Sequence, residues 1–362
     1  MTELTLFVGW GEVVKLYYWP HLRPLYESGR LIPVIAETEA KCRVVPGLLL
    51  PWGSVELEEM ISAGRFRRIF ILSPPALHLP QLLHCVELLR SAGSRCDLFV
   101  EKPLGLDYSE AAARLRRLDA TPLPDGVVVR HIDHYTQKWA VRWLRAHFDE
   151  VTGLLGRLTE VLFVSLERRE ITDSPVFAAG YAREHGIHAW ALLDHCIPTL
   201  VREGLDVEAV HAWRHRDCPP ICSAESAFRI DYQARGPALA GMPVRICAGK
   251  AMAATDKRLV LRGADAEIVA YFNKDRICYR GPGGERSLGD DPPDDDGGLN
   301  RRPAYRTIME GIFERNAGED VTIGLEEGLL ALERIDRAAS RFPSPVEYPR
   351  GETPRKIAGL LG

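Results

Sequence analysis

Apolar positions in the first third of the chain fall into short runs separated by stretches of helical length. Thr5 to Gly9 (TLFVG) is an apolar run of strand type that ends in glycine, and residues 12–27 follow with helically spaced apolar and aromatic positions around Pro20. Leu31 to Ala36, Arg68 to Leu72, Cys96 to Val100 and Gly126 to Arg130 repeat the strand pattern. Glu56 to Ala63, 78–92 and 108–118 repeat the helical one. Apolar strands alternating with helices predict a parallel sheet covered on both faces. From about Asp133 the pattern changes. Helical stretches at 134–148 and 181–203 are accompanied by segments such as LTEVLFVSLE, SAFRIDYQA and RLVLRG, which alternate apolar and polar residues. That alternation predicts antiparallel strands with one face covered. Residues 282–300 read as a loop of glycine, proline and aspartate, and Tyr305 to Phe342 as a final helical stretch. The expected fold class is α/β followed by α+β. A Rossmann-type, doubly wound parallel sheet over 1–131 forms a dinucleotide-binding domain, and a substrate-binding and catalytic domain over 132–362 is built on a large open, mainly antiparallel sheet.

Composition narrows the function classes. The 362 residues are 46% hydrophobic and 27% charged, enough to bury a large core without disulfides or structural metal. A net charge of −4, with arginines interspersed among acids, argues against a nucleic-acid partner. Eight cysteines are scattered without repeated spacing, and Cys218 and Cys222 lack a second pair to complete a zinc site. The aspartate-rich loop lacks the EF-hand pattern, so no metal is expected. The amino terminus lacks a basic region before a cleavage site, and no apolar run reaches the ~20 residues of a membrane span. The expectation is a cytoplasmic chain with no membrane partner.

The end of the first strand carries candidate chemistry. Gly9-Trp10-Gly11 precedes a helix opened by Glu12 and Val13. A glycine turn lets backbone amides approach a pyrophosphate, and the helix N-terminus favours negative charge. The third glycine of the dinucleotide fingerprint is replaced by Val14, so the turn alone leaves a plain strand-to-helix connection open. Glu37 ends the second strand, where an acid accepts hydrogen bonds from ribose hydroxyls and repels a 2′-phosphate. This favours NAD over NADP.

Phe99-Val100-Glu101-Lys102-Pro103-Leu104-Gly105 is a more distinctive motif. A strand ending in VEKPLG resembles the Gfo/Idh/MocA oxidoreductases and, within that group, is most similar to glucose-6-phosphate dehydrogenases. The resemblance continues in order: Gly11 to Lys15 with Pro20-His-Leu, Ser73-Pro74-Pro75, Ile132-Asp133-His134-Tyr135 with Lys138, Gly186-Ile187 with His195, and Ala248-Gly249-Lys250-Ala251. Ala304-Tyr305 and Leu325-Glu326-Glu327 fit the carboxyl-terminal helices of that family. The chain departs from the pattern at Val8 and Gly9 (family glycine and alanine), at Glu37 (arginine), at Trp190 (aspartate) and at Asp194 (asparagine).

The resemblance implies an NAD(P)-dependent dehydrogenase acting on CH–OH groups. His195 would be the base, Asp133 its orienting carboxylate, and Lys102 the group that orients the reacting carbon beside the cofactor. Gly9, Gly11, Glu12, Val13, Glu37, Ser73, Pro74, Glu101 and Lys102 would face the cofactor. His134, Tyr135 and Lys138 would hold a substrate phosphate, with Glu167, Trp190 and Lys250 along the sugar. A sugar phosphate is the leading substrate. An unphosphorylated sugar, a cyclitol or a biosynthetic intermediate is the alternative, and a non-catalytic sugar- or nucleotide-binding relative is the reading from another class. Family members form homodimers or homotetramers, and the same is implied here.

Overall fold

The computed structural model describes residues 2–37, 45–90, 93, 95–120, 122–169, 171, 180–197, 200, 204–219, 224–237, 239–274, 276–290, 302–315 and 318–361. Cys42 and Cys222, and much of the aspartate-rich loop, lie outside them. The chain divides into two compact units, Met1–His134 with Ala304–Leu332, and Tyr135–Pro303 with Glu333–Gly362. The sequence reading placed one cut after residue 131; the structure returns a carboxyl-terminal segment to the first unit.

The first unit holds six parallel strands: β1 (Glu3–Val8), β2 (Leu31–Glu37), β3 (Leu48–Pro51), β4 (Arg68–Ile71), β5 (Cys96–Glu101) and β6 (Val127–Ile132). Their order is β3-β2-β1-β4-β5-β6, the doubly wound arrangement expected. β3 was not anticipated, because four residues running into Pro51 carry too little pattern. The order reverses beside β1, and sheets of this kind bind ligands outside the carboxyl ends of the strands at such a point, here β1 and β4. The expected helix 12–27 runs as one helical stretch with a π turn at Val14–Tyr18 leading into α1 (Trp19–Glu27). Pro20 lacks the N–H for an i→i−4 bond, and a wider turn just before it accommodates that loss. α2 (Val55–Ser62), α3 (Pro75–Leu89) and α4 (Tyr108–Asp119) complete the wind; Ser54 caps α2 and Asp107 caps α4.

The final helical stretch is broken into α8 (Arg302–Phe313), a single turn at Gly318–Val321, and α9 (Leu325–Ala339). Two contacts fasten the returning segment. Buried Arg68 pairs with Glu3, donates to the carbonyl of Ile312 at 2.9 Å and lies 4.6 Å over the Phe313 ring. His131 and Ile323 exchange backbone hydrogen bonds at 2.8 and 2.9 Å. Gly328 allows this approach, since a Cβ there would lie 2.5 Å from the His131 ring.

The second unit is built on nine strands in the order β14-β13-β12-β11-β7-β10-β9-β8-β15. They are β7 (Glu160–Leu166), β8 (Leu205–His215), β9 (Ala227–Ala234), β10 (Pro243–Gly249), β11 (Asp256–Arg262), β12 (Glu267–Tyr271), β13 (Arg276–Gly281), β14 (Gly284–Asp290) and β15 (Val346–Tyr348). Pairing is antiparallel except β7 with β10 and β8 with β15. β14 occupies the start of the stretch read as loop. Its residues are polar, but Arg280 and Glu285 pair across the hairpin at 2.7 Å, and Arg276 and Asp290 at 3.3 Å.

Alternation along β7 sends Phe163 and Ser165 to Tyr135 and His185 on one face. Leu162, Val164 and Leu166 meet Ile357 in a core on the other. The first face carries α5 (Trp139–Ala146), α6 (Phe148–Leu155) and α7 (Ile187–Cys196), the last preceded by a π turn at Ala182–Gly186. α7 ends at Cys196, because Pro198 disfavours helical geometry at Ile197, and Leu200, within the expected span to 203, is again helical. Among the described residues no helix is long and apolar enough to cross a membrane.

Candidate active site

In the first unit the expected cofactor residues gather at the carboxyl ends of the strands. Gly9 has φ +96°, and a Cβ there would lie 2.8 Å from the Ser73 amide, so the turn after β1 packs directly on the turn after β4. Gly11 differs: a Cβ would meet nothing within 4 Å. Gly11, Glu12, Val13 and Pro74 are exposed, and Ser73 is half-buried. Trp10 does not fill this edge. It is 4% exposed and packs into the core against Phe7 and Trp19. Its backbone N–H donates to Glu37 Oε1 at 2.6 Å, tying the end of β2 to the glycine turn. An open glycine turn at a helix start, with an acid on the neighbouring strand end, suits a dinucleotide.

Lys102 follows β5, half-buried, and its N–H donates to the Ile132 carbonyl at 3.2 Å. Lys102 and fully buried Asp133 thus end adjacent strands. His78 was read only as a helix residue. Its ring lies between the carbonyls of Pro103 (Nδ1, 2.7 Å) and Ser73 (Nε2, 2.6 Å) and clips the SPP turn to the Lys102-Pro103 turn. Burial pushes its pKa down to about 4, against the pull of those two carbonyls. A histidine three residues after Pro75 was the only available signal.

Glu101 departs from expectation. Instead of lining an open cofactor surface it is 7% exposed and accepts hydrogen bonds from Tyr18 (3.2 Å) and Tyr305 (3.0 Å). Burial raises its pKa to about 7, with Lys102 and the two phenols opposing. Buried His134 stacks on Tyr305 at 5.0 Å, with Nδ1 3.4 Å from its hydroxyl.

The second unit carries a separate polar interior. Glu167 pairs with Lys250 and Lys257, and His185 Nε2 lies 3.9 Å from it. Burial raises the Glu167 pKa, but Lys257, Lys250 and His185 outweigh it and hold the carboxyl well below its usual range. Burial lowers the Lys250 pKa in spite of Glu167. Tyr181 lies 5.8 Å beneath Lys250, and buried Tyr135 stacks on His188 at 4.2 Å. Lys138 is buried at the start of α5. Lys257 was missed because it is distant from Glu167 in sequence and meets it only through the β7–β11 pairing.

His195 lies at the end of α7, and Arg145 donates to its Nε2 at 2.8 Å, which requires a neutral ring with its proton on Nδ1. Trp190 is a correction. It is fully buried, 5.1 Å from Tyr232 and beneath the Arg334 guanidinium at 4.7 Å, so it has no surface for a sugar. Asp194 pairs with the same Arg334 at 2.6 Å. One arginine therefore meets both Trp190 and Asp194.

No family model and no curated protein matches the chain. Solved structures do. Glucose-6-phosphate 1-dehydrogenase from Mycobacterium avium is 16% identical, with TM-score 0.72 over 99% of this chain and 97% of that one. A glucose-6-phosphate dehydrogenase in complex with glucose 6-phosphate gives 16% identity and TM-score 0.74 over the same shares. The chain has the fold of glucose-6-phosphate dehydrogenase. A 3-ketoreductase from Actinomadura kijaniata, solved with NADP and TDP-benzene, shares it at 12% identity and TM-score 0.67, over 96% of this chain and all of that one. The resemblance drawn from the VEKPLG and IDHY motifs thus holds at the level of the fold.

Proposed function

We propose that the chain is a nicotinamide-dependent oxidoreductase that takes a hydride from a carbinol carbon of a sugar phosphate. The observation that carries this reading is Lys102 directly after β5, at the carboxyl ends of the strands that also carry the Gly9 turn and the Ser73-Pro74 turn. Gly9, Gly11, Glu12, Val13, Glu37, Ser73 and Pro74 would hold the dinucleotide, and its nicotinamide would supply the hydride acceptor. Lys102 would orient the carbinol and stabilise negative charge as it develops on oxygen. His195 would take the hydroxyl proton, supported by Asp133. Its Nε2 already accepts from Arg145, so proton uptake there requires that guanidinium to move aside. His134, Tyr135 and Lys138 would hold the phosphate, and Glu167 with Lys250 the sugar hydroxyls. Glu37 favours NAD, since a carboxylate repels a 2′-phosphate.

The test is a panel of sugar phosphates and free sugars with NAD and with NADP, followed by absorbance of the reduced ring. Lys102→Ala is expected to lower kcat by at least about 10²-fold with unchanged circular dichroism. Unaltered turnover in that variant would remove Lys102 from the reaction. A second reading, with an unphosphorylated substrate, is favoured by the burial of Trp190 where the family carries an aspartate; turnover of free sugars alone would select it. Unchanged NADH and NADPH fluorescence on mixing with the protein would favour a binding protein over an enzyme.

A further inference from the structure

The first unit contains a buried chain of three titratable groups that hydride transfer does not use. Glu101 Oε1 lies 3.0 Å from the Tyr305 hydroxyl, and that hydroxyl lies 3.4 Å from His134 Nδ1. Tyr18 donates to the second carboxylate oxygen at 3.2 Å. All four residues are buried, and they come from four places in the sequence: the π turn behind the glycine turn, the end of β5, the residues after β6 and the returning helix α8. The fields of Lys102 and Asp133 also reach Glu101, and an Asp133 carboxylate oxygen lies within 4.8 Å of a His134 ring nitrogen.

We infer that Glu101 is a positioning residue that charges His134 through Tyr305 when a phosphate group binds. This rests on the proposed phosphate role of His134. Two arrangements of two protons fit the same heavy atoms. In the first, the Glu101 carboxyl donates to the Tyr305 oxygen and the phenol donates to a neutral His134 at Nδ1. In the second, the phenol proton has passed to Nδ1 and the carboxyl proton to the phenol, which leaves carboxylate, intact phenol and imidazolium. One proton leaves Glu101, one arrives at His134, and Tyr305 ends as it began. An anion at the far side of the ring favours the second arrangement, because imidazolium offers it a charged Nε2–H donor. Burial, which raises the carboxyl pKa to about 7, leaves a proton on the carboxyl available to move at neutral pH. A lone surface carboxylate would be ionised already and would have no proton to give.

The probe is inorganic phosphate added to the full-length protein at constant neutral pH, followed by infrared difference spectroscopy and calorimetry. Phosphate is expected to reduce the carboxylic-acid C=O stretch in the unmodified protein. Glu101→Gln is expected to lack that band change, and Tyr305→Phe to lose it with the carboxyl still present. Phosphate affinity should fall about tenfold in both variants, while binding of free glucose stays unchanged. A merely structural role would weaken both ligands together. Phosphate that binds without altering the carboxyl band, fails to bind, or binds both variants as tightly as the unmodified protein overturns the inference. Turnover of sugars with a nicotinamide would then still support the proposed oxidoreductase. A carboxyl response to phosphate without turnover of any sugar would sink that function and leave the relay standing.

Discussion

Glu101 in the first unit and Glu167 in the second are both buried carboxyls, yet their pKa values move in opposite directions. Glu101 is bonded to two neutral phenols, which together with the field of Lys102 lower its pKa less than burial raises it. Glu167 is bonded to two ammonium groups, and they overwhelm the same burial. The charge of the partner, rather than the depth of the site, decides which protonation state the protein stabilises. The first arrangement holds a mobile proton, and the second holds a fixed negative charge.

Removing the fixed charge should have the largest effect. Glu167→Gln removes the carboxylate that Lys250 and Lys257 share, with Glu184 still near Lys250, and is expected to cost about 3–5 kcal/mol, read from urea unfolding. Adding Lys250→Gln should recover part of that loss, since a buried ammonium deprived of its bonded carboxylate causes most of it. Because the Glu167 pKa is depressed on folding, its contribution is fully present above the unfolded value of 4.5 and is lost as pH falls toward the folded one. The gap between the unmodified protein and Glu167→Gln should therefore shrink on acidification below 4.5.

Glu101→Gln should show the reverse sign. The Glu101 pKa rises from 4.5 to about 7 on folding, so its carboxyl supports the fold fully below 4.5 and loses that support as pH rises through 7. Glutamine does not ionise. The variant should gain stability over the unmodified protein between pH 4.5 and 7, by up to about 3 kcal/mol, and hold that margin above. A margin independent of pH would mean that Glu101 is ionised throughout and would break the contrast with Glu167.

The two regions also differ in how much of them the sequence disclosed. In the first unit Lys102, Asp133 and the glycine turn sit at strand ends of a parallel sheet, so short contiguous motifs such as VEKPLG and IDHY place them. What escaped were partners from other elements. Tyr18 looked like one more apolar position of a helix, and Tyr305 lies in a segment that seemed to belong to the other domain. The interior of the second unit is assembled across an antiparallel sheet, where neighbours such as Glu167 and Lys257 are set by strand register. Trp190 and Asp194 looked like damage to a motif until Arg334, distant in sequence, was seen against both. β14 was hidden by composition, because cross-strand ion pairs rather than apolar alternation hold that edge.

The glycine turn of the first unit provides the finest test of the comparison, since it separates what the fold needs from what a ligand needs. Gly9→Ala places a Cβ against the Ser73 backbone in a left-handed conformation and is expected to destabilise by about 1–3 kcal/mol, ligand or no ligand. Gly11→Ala adds a Cβ in open space at ordinary φ, so stability should stay within about 0.5 kcal/mol. If a pyrophosphate approaches that backbone, the same methyl group occupies the space it needs, and NADH affinity by fluorescence titration should fall at least about tenfold. Undiminished affinity in Gly11→Ala would move the dinucleotide away from this turn. It would also leave the Trp10–Glu37 contact as a purely structural tie between β1 and β2.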